Sequence, residues 1–325
     1  MTEPKVFIGP MSKNVVDATI EFCNDSGIEI GFIPSRRQVE YDGGYVNNWT
    51  TKDFVSYVKS KTNKILIQRD HAGPGQGQFD DDGLVSLKVD SSCVDLIHID
   101  PWKNYPDFRE GLMKTASMIE YSSFHNSKVL FEVGTEEAIR RFEVSELEAL
   151  IKGLQRELSP GLFEKIKYLV IQSGTSLKGT DQTGTYDSTR LMEMVALAKK
   201  YRLLSKEHNG DYIPVEVIKE KLSLGLDAIN IAPEFGLIET LTYLEEIKDE
   251  KLFERFWQIC YDSKKWVKWV SPSFDPYYNR EQLIKISGHY VLSNPEFISK
   301  IKSQFPGIDD KVKQNVIKKL NELYS

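Results

Sequence analysis

Short apolar runs alternate with longer amphipathic stretches over the first 250 residues of the chain. The apolar runs recur about every 30 residues and are too short for helices, as is typical of buried parallel strands. The stretches between them carry apolar positions at helical spacing. The pattern predicts eight strands at 6–8, 28–33, 65–68, 96–99, 129–133, 168–172, 203–205 and 228–231, with helices at 13–24, 52–61, 82–91, 107–124, 145–157, 189–200, 214–224 and 235–247.

Eight consecutive strand–helix units favour a closed (β/α)8 TIM barrel over an open parallel sheet. The open sheet is the alternative fold, but no glycine-rich dinucleotide-binding loop follows the first predicted strand. Residues 1–250 are therefore interpreted as the barrel.

The strand–helix rhythm stops at about residue 251, and aromatic residues accumulate before a final amphipathic stretch. We interpret residues 251–325 as a C-terminal helical extension that packs on the barrel. An aromatic-rich extension of this kind also predicts a contact between subunits, and so a homo-oligomer. The aromatic residues are Trp257, Trp266, Trp269, Tyr277 and Tyr278.

The charge distribution limits the class of partner. The chain of 325 residues has a net charge of −6, with acidic and basic residues interspersed, which argues against nucleic acid or an anionic membrane surface. No apolar stretch is long enough to span a bilayer, and the three cysteines form no paired motif. A cytoplasmic protein that acts on a small molecule is the expectation.

Polar residues concentrate where the predicted strands end, which is where barrels of this type hold reactive groups. His71 and His208 follow the third and seventh strands, and Glu132 lies on the fifth. Alternate strands share a layer of a barrel, so these three side chains are predicted to converge. Two imidazoles and a carboxylate predict a site for a divalent metal ion, and the ligand types favour Zn²⁺. Asp70, beside His71, is predicted to move a proton. An Asp–His pair that merely caps a strand is the alternative.

The sequence positions of the remaining histidines and of one lysine favour structural roles. His98 lies inside an apolar strand, where a hydrogen-bonded core histidine is expected. His125 and His289 are interpreted as surface or packing residues. Lys206 is interpreted as an exposed loop lysine, with a Schiff-base lysine as the alternative.

Several motifs in order along the chain resemble those of known aldolases. Residues 206–235 resemble the seventh-to-eighth strand region of the class II, metal-dependent fructose- and tagatose-bisphosphate aldolases. Over residues 5–245 the chain more specifically resembles the non-catalytic accessory subunit of tagatose-bisphosphate aldolase. The motifs are Gln38-Val39 with Gly43-Gly44-Tyr45, Asp70-His71-x-Gly-Pro, His98-Ile99-Asp100, Gly134-Thr135-Glu136 and His208-x-x-Asp211-Tyr212.

The resemblance implies roles for individual residues. His71 and His208 would bind the metal, Asp70 would act as acid and base, and Glu132 would lie close to the metal as a ligand and catalytic carboxylate. Further residues are predicted to contact the substrate, with the two arginines as candidates for an anionic group: Arg36, Arg37, Asp100, Gln172, Asp211 and Asn230.

Two departures from the aldolase pattern separate the functional hypotheses. The stretch 174–179 lacks the metal-binding histidine that catalytic class II aldolases carry after strand six. The phosphate-binding Gly-Gly-Ser-Gly loop is replaced by Asn209-Gly210-Asp211-Tyr212. We therefore consider a metal-dependent aldolase for a sugar or sugar phosphate first. A non-catalytic partner of a catalytic aldolase subunit, and a sugar epimerase or isomerase, are the alternatives.

Overall fold

The computed structural model describes residues 3–325, and within them eight parallel strands close into a barrel. The order around the barrel is β1-β2-β3-β4-β5-β6-β9-β10, and β10 pairs with β1. A small antiparallel hairpin of β7 (Leu177–Lys178) and β8 (Asp181–Gln182) is inserted after β6. The barrel strands are β1 (Val6–Ile8), β2 (Ile30–Phe32), β3 (Ile65–Ala72), β4 (Leu96–Ile99), β5 (Leu130–Val133), β6 (Ile166–Ile171), β9 (Leu204–Glu207) and β10 (Ala228–Ile231).

Helices surround the barrel and follow its strands, as the periodicity predicts. Side-chain caps set where several of them begin: the Ser12 hydroxyl accepts from the Val15 N–H at the start of α1. The helices up to the last strand are α1 (Lys13–Ser26), α2 (Thr51–Lys59), α3 (Leu84–Cys93), α4 (Phe108–His125), α5 (Val144–Glu157), α6 (Pro160–Phe163), α7 (Ser188–Lys200) and α8 (Val215–Ser223). The chain then continues through α9 (Pro233–Glu246), α10 (Glu250–Asp262), α11 (Arg280–Ser287), α12 (Pro295–Lys300) and α13 (Ile308–Tyr324).

The predicted (β/α)8 barrel with C-terminal helices is confirmed. The short helix α6 and the hairpin β7–β8 were not predicted, because each is too short to produce a periodic pattern. The last helix, α13, packs against α1 and α9 on the outside of the barrel. None of the helices in residues 3–325 is both long and apolar enough to cross a membrane.

The interior of the barrel changes from apolar to polar along its axis. One layer is filled by apolar side chains that include Phe7 and Tyr168, whose rings meet edge to face at 5.8 Å. Glu132, Gln68 and Lys206 are also fully buried inside the barrel. Lys206 is therefore not the exposed loop residue expected from the sequence, because β9 continues through Glu207 and carries this lysine into the interior.

Candidate metal centre and substrate cavity

The end of β3 has an irregular backbone conformation, and two side chains there, those of Asp70 and His71, turn toward the barrel axis. Pairing between β3 and β4 shifts between Arg69 and Ala72, and His71 has a φ of 44°. A left-handed backbone at a residue other than glycine is strained and concentrates at functional sites. The strand is anchored directly before this point, since the buried Arg69 guanidinium forms two 2.8 Å bonds to Asp90.

Four side chains converge beyond this irregularity, among the residues that the structure describes. Asp70, His71, His98 and His208 each present one potential ligand atom, and these atoms all lie within 4.8 Å of one another. The His71 and His208 rings are 5.3 Å apart between centroids, and the His98 ring lies 4.8 Å from that of His208. Of the three side chains predicted to converge, His71 and His208 lie together in this group, and Glu132 contacts His208 from outside it. A histidine from β4 joins it.

Each imidazole in the cluster is oriented by an oxygen on its outer side. His71 Nδ1 bonds the Asp100 carboxylate at 2.6 Å, and His208 Nε2 bonds the Glu132 carboxylate at 2.6 Å. His98 Nε2 donates to the Gly134 carbonyl at 3.0 Å. Histidine ligands of metal ions typically use the second ring nitrogen in this way, which sets the tautomer of the ring.

The other nitrogen of each ring faces Asp70. The distances to its carboxylate oxygens are 3.6 Å from His71 Nε2, 3.5 Å from His98 Nδ1 and 4.0 Å from His208 Nδ1. The His98 Nδ1 atom also accepts a long 3.3 Å bond from the His71 backbone N–H. Asp70 Oδ1 is buried and has no hydrogen-bond partner among the described residues. A buried oxygen without a partner is costly, and a cation between these groups would satisfy it.

The electrostatics of the cluster favour positive charge at its centre. Burial lowers the pKa of His71, but the charges of Asp70 and Asp100 outweigh it and raise that pKa to about 10. Burial raises the pKa of Asp70, but the neighbouring imidazoles bring it below its ordinary range. The proton on His71 compensates the carboxylates here, and a divalent ion would do the same. Ligand atoms about 2 Å from an ion lie roughly 3–4 Å from each other, so small side-chain shifts would complete the site.

Glu132 lies on the outer side of this cluster. One of its oxygens contacts His208, and the other accepts from Lys206 at 2.9 Å and Gln68 at 2.7 Å. Burial raises the pKa of Glu132, and the Lys206 charge together with His208 brings it well below the ordinary value. The structure thus places Glu132 outside the four-residue group, where it orients His208.

A cavity of about 280 Å³ opens at this end of the barrel, with Asp70, His71 and His208 in its lining. Asn230, on β10, also lines it, and neither its side-chain oxygen nor its nitrogen has a partner among the described residues. A buried amide with free donors and an acceptor is suited to a polar ligand. The predicted substrate residues Asn230, Arg37 and Asp211 therefore all line the cavity.

The other predicted substrate residues are engaged elsewhere and do not line this cavity. The Arg36 guanidinium pairs with Glu40 at 2.6 Å and with Asp81 at 2.5 Å, so its charge is neutralised. Gln172 accepts from the Phe142 N–H at 2.8 Å and braces the neighbouring loop. Asp100 is fully buried behind His71. For these three residues the structure places the side chain in a supporting position, because their polar atoms already have partners.

Asp211 has a second role besides lining the cavity. Its carboxylate accepts 2.8 Å bonds from the N–H groups of Ala232 and Glu234, at the start of α9. Burial raises its pKa to about 8, although these N–H groups oppose the shift. Asp211 therefore joins the loop after β9 to the first turn of α9.

Sequence reasoning missed two groups of residues at the site. His98 was assigned to the core, and it is fully buried, yet its ring belongs to the cluster. The available signal was its position in β4, one strand from Asp70 and laterally paired with Glu132. The second group comes from the C-terminal extension and lines the cavity wall: Lys268, Trp269, His289 and Tyr290. His125 contacts Tyr121 and Phe124 on α4, as a packing residue does.

Comparisons with known proteins identify the fold. The sequence matches no protein-family model and no curated protein sequence. A structure from Sinorhizobium meliloti 1021, described as a probable tagatose 6 phosphate kinase, is 15% identical with a TM-score of 0.75, and 99% of each chain is covered.

Two further structures of similar architecture carry different activities. The YdjI aldolase from Escherichia coli K12 is 11% identical with a TM-score of 0.60, covering 98% of this chain and 91% of that chain. The fructuronate-tagaturonate epimerase UxaE from Cohnella laeviribosi is 11% identical with a TM-score of 0.63, covering 99% and 81%. The chain thus shares its fold with an aldolase and an epimerase, in agreement with the resemblance found in the sequence.

Proposed function

We propose that this protein is a metal-dependent aldolase that acts on a sugar or sugar phosphate. The observation that carries the proposal is the arrangement of three imidazoles around the unpartnered Asp70 oxygen, in a cavity at the strand ends. His71, His98 and His208 would hold the ion, and the nitrogen-rich ligand set suits Zn²⁺.

The residues of the site then divide into three roles. The ion, when bound, supplies Lewis acidity toward a substrate oxygen. Asp70, which lines the cavity beside the three imidazoles, takes up or returns a substrate proton at its carboxylate. Asn230 orients a polar group of the substrate, since its amide is free. Glu132 and Asp100 hold His208 and His71 in position.

His98 bears on the choice between an enzyme and a non-catalytic subunit. The sequence lacks the usual histidine after the sixth barrel strand, which weakens the case for catalysis. In the structure β4 brings a third imidazole to the same cluster. A scaffold needs no such convergence of buried, mutually oriented ionisable groups, because each one is costly to bury. This observation favours the enzyme.

Metal analysis tests the ligand set. We expect protein purified without chelators to contain about one divalent ion per chain. The affinity for this ion should fall at least tenfold in each of the variants His71→Ala, His98→Ala and His208→Ala. His125→Ala, on the surface of α4, is the matched control and should keep the ion. Metal-free wild-type protein that binds an aldolase subunit would instead support the accessory role.

The second candidate, a sugar epimerase, shares the fold through UxaE and would use the same proton transfer at Asp70. Incubation of candidate sugars in D2O separates the two reactions. Deuterium uptake together with cleavage into two carbonyl fragments supports the aldolase. Inversion with deuterium uptake but no cleavage supports the epimerase and contradicts the aldolase. Cytoplasmic location and oligomeric state stay predictions.

A further inference from the structure

Two cationic side chains line the same cavity as the histidine cluster. Arg37 follows β2, and Lys268 lies in a single 3-10 turn of the C-terminal extension, Val267–Trp269. Part of Lys268 is exposed to solvent and its ammonium group is surrounded by side chains of the cavity wall, so it lies at the solvent-facing edge of the cavity. The cavity therefore has potential metal ligands at the ends of the barrel strands, and positive charge from the loop after β2 and from the extension.

Neither cation is neutralised within the described part of the chain. No carboxylate oxygen of residues 3–325 lies within 4.0 Å of the Arg37 guanidinium or the Lys268 ammonium. Arg37 Nε instead donates to the Gly77 carbonyl at 3.1 Å. The adjacent Arg36 is the contrast, since Glu40 and Asp81 both bind it. The unpaired charges lie where a ligand reaches them, in a protein whose net charge is negative.

Aromatic rings keep the Lys268 ammonium at this wall. It lies 4.3 Å from the centroid of the Trp269 ring and 5.8 Å from that of Tyr290, and both of these residues line the cavity. The two rings are themselves joined by a 3.2 Å bond from Trp269 Nε1 to the Tyr290 hydroxyl. Cation–π contacts at such distances restrain an ammonium group without removing its charge.

The cations also repel one another. Burial lowers the pKa of Lys268, and Arg37, Lys265 and Lys103 lower it further, to about 8. A like-charged group disfavours protonation, so part of the shift reflects the neighbouring cations, and Glu136, which also lines the cavity, offsets their effect only in part. An anionic ligand placed between these groups would relieve the repulsion, and oxyanions are the ligands that arginine and lysine bind best.

We propose that Arg37 and Lys268 form an anion subsite that binds the phosphate or carboxylate group of a sugar substrate, at the edge of the cavity closed by the extension. The inference rests on the proposed function in one respect: the remainder of the sugar would extend toward the histidine cluster. It identifies the substrate as anionic. It also gives the extension a role in substrate recognition. Asp211, in the loop after β9, would not contact the anion, because the anion would bind at Arg37 and Lys268 instead.

Ligand binding by the full-length protein tests the subsite. The probes are tagatose 6-phosphate and tagaturonate as the two anions, neutral tagatose, and inorganic phosphate, measured by calorimetry. Whichever of tagatose 6-phosphate and tagaturonate binds the wild-type protein should bind Lys268→Met and Arg37→Met roughly tenfold or more weakly. Binding of neutral tagatose should change less than about twofold in both variants. Lys200→Met removes an exposed lysine of α7 that neither lines the cavity nor affects Lys268, and serves as the control.

The two anions identify the chemistry of the ligand. If the two variants lose binding of tagatose 6-phosphate and inorganic phosphate but not of tagaturonate, the subsite binds phosphate. If they lose binding of tagaturonate only, the subsite binds carboxylate. Binding of neither anion to the wild-type protein would overturn the proposal, as would equal binding by wild type and both variants. If the wild-type protein holds no metal but anion binding still depends on Arg37 and Lys268, the aldolase proposal fails and the subsite stands. Circular dichroism checks that the variants fold.

Discussion

Lys206 and Glu132 show how a charge pair is maintained inside the barrel. Both side chains are fully buried, 2.9 Å apart, and Lys206 Nζ lies 3.5 Å above the Phe7 ring. The lysine keeps Glu132 ionised, and Glu132 in turn orients His208. Burial of a charge without its partner is costly, so this pair connects the stability of the barrel with the geometry of the cluster.

Removal of the lysine should therefore be more destabilising than its hydrophobic volume suggests. We expect Lys206→Met to lower the free energy of unfolding by roughly 3–5 kcal/mol, because Glu132 is left without its cation. Lys206→Met combined with Glu132→Gln should lose less than the two single variants together. Urea denaturation measures all three. Lys200→Met removes an exposed lysine paired with Glu148 and should change stability by less than about 1 kcal/mol. Equal losses at both lysines would contradict this account.

At the scale of elements, one buried carboxylate joins three helices. Glu239 on α9 accepts from the Ser12 hydroxyl at the start of α1 and from the Asn14 side chain at 2.9 Å. The same Asn14 amide donates to Asp309, in the first turn of α13, at 2.7 Å. Burial raises the pKa of Glu239 to about 7, although Ser12 and Asn14 oppose the shift. This junction connects the barrel to the last helix of the extension.

The raised pKa predicts a pH dependence of stability. Folded Glu239 holds its proton up to about pH 7, whereas the unfolded chain releases it near the ordinary value of 4.5. The contribution of this group is thus complete below pH 4.5 and is lost as the pH rises through 7. The free energy of unfolding should fall between pH 5 and pH 8 in the wild-type protein because Glu239 ionises. In Glu239→Gln this fall should be smaller, by up to roughly 3 kcal/mol. Urea denaturation at both pH values measures the difference, and parallel pH profiles would exclude this role.

At the scale of the whole molecule, the extension packs on the barrel through aromatic side chains. The Phe297 ring on α12 lies 4.9 Å from that of Tyr243 on α9 and 5.1 Å from that of Phe256 on α10. Two of the five aromatic residues that suggested a subunit contact, Trp257 and Trp266, are buried within the chain instead. Fewer aromatic residues are therefore available for a subunit contact than the sequence indicated. Tyr278, which is 88% exposed, is one of those that remain.

The aromatic contact between extension and barrel should contribute strongly to stability. We expect Phe297→Ala to lower the free energy of unfolding by about 3–5 kcal/mol, because a buried ring is replaced by a cavity. Tyr278→Ala, at an exposed ring, should have an effect within about 0.5 kcal/mol on the stability of the chain. Denaturant unfolding checks both values. A small effect of Phe297→Ala would mean that the extension is only loosely attached.

The oligomeric state is a separate prediction at this scale. We expect a dimer or larger species in analytical ultracentrifugation, and Tyr278→Ala should weaken it if exposed aromatics form the contact. A monomeric mass for the wild-type protein would contradict the prediction. The barrel and its site do not depend on the result.

The amino-acid sequence by itself determined the barrel and the rim on which the site lies. Apolar periodicity is a local property, and the carboxyl ends of parallel strands necessarily meet at one end of a barrel, so Asp70, His71 and His208 were predictable. Only the tertiary structure decided that His98 joins them, that Lys206 points inward, that Arg36 is neutralised, and that Lys268 reaches the cavity. These outcomes depend on strand register and on contacts between distant parts of the chain, and a pattern of neighbouring residues carries no information about either.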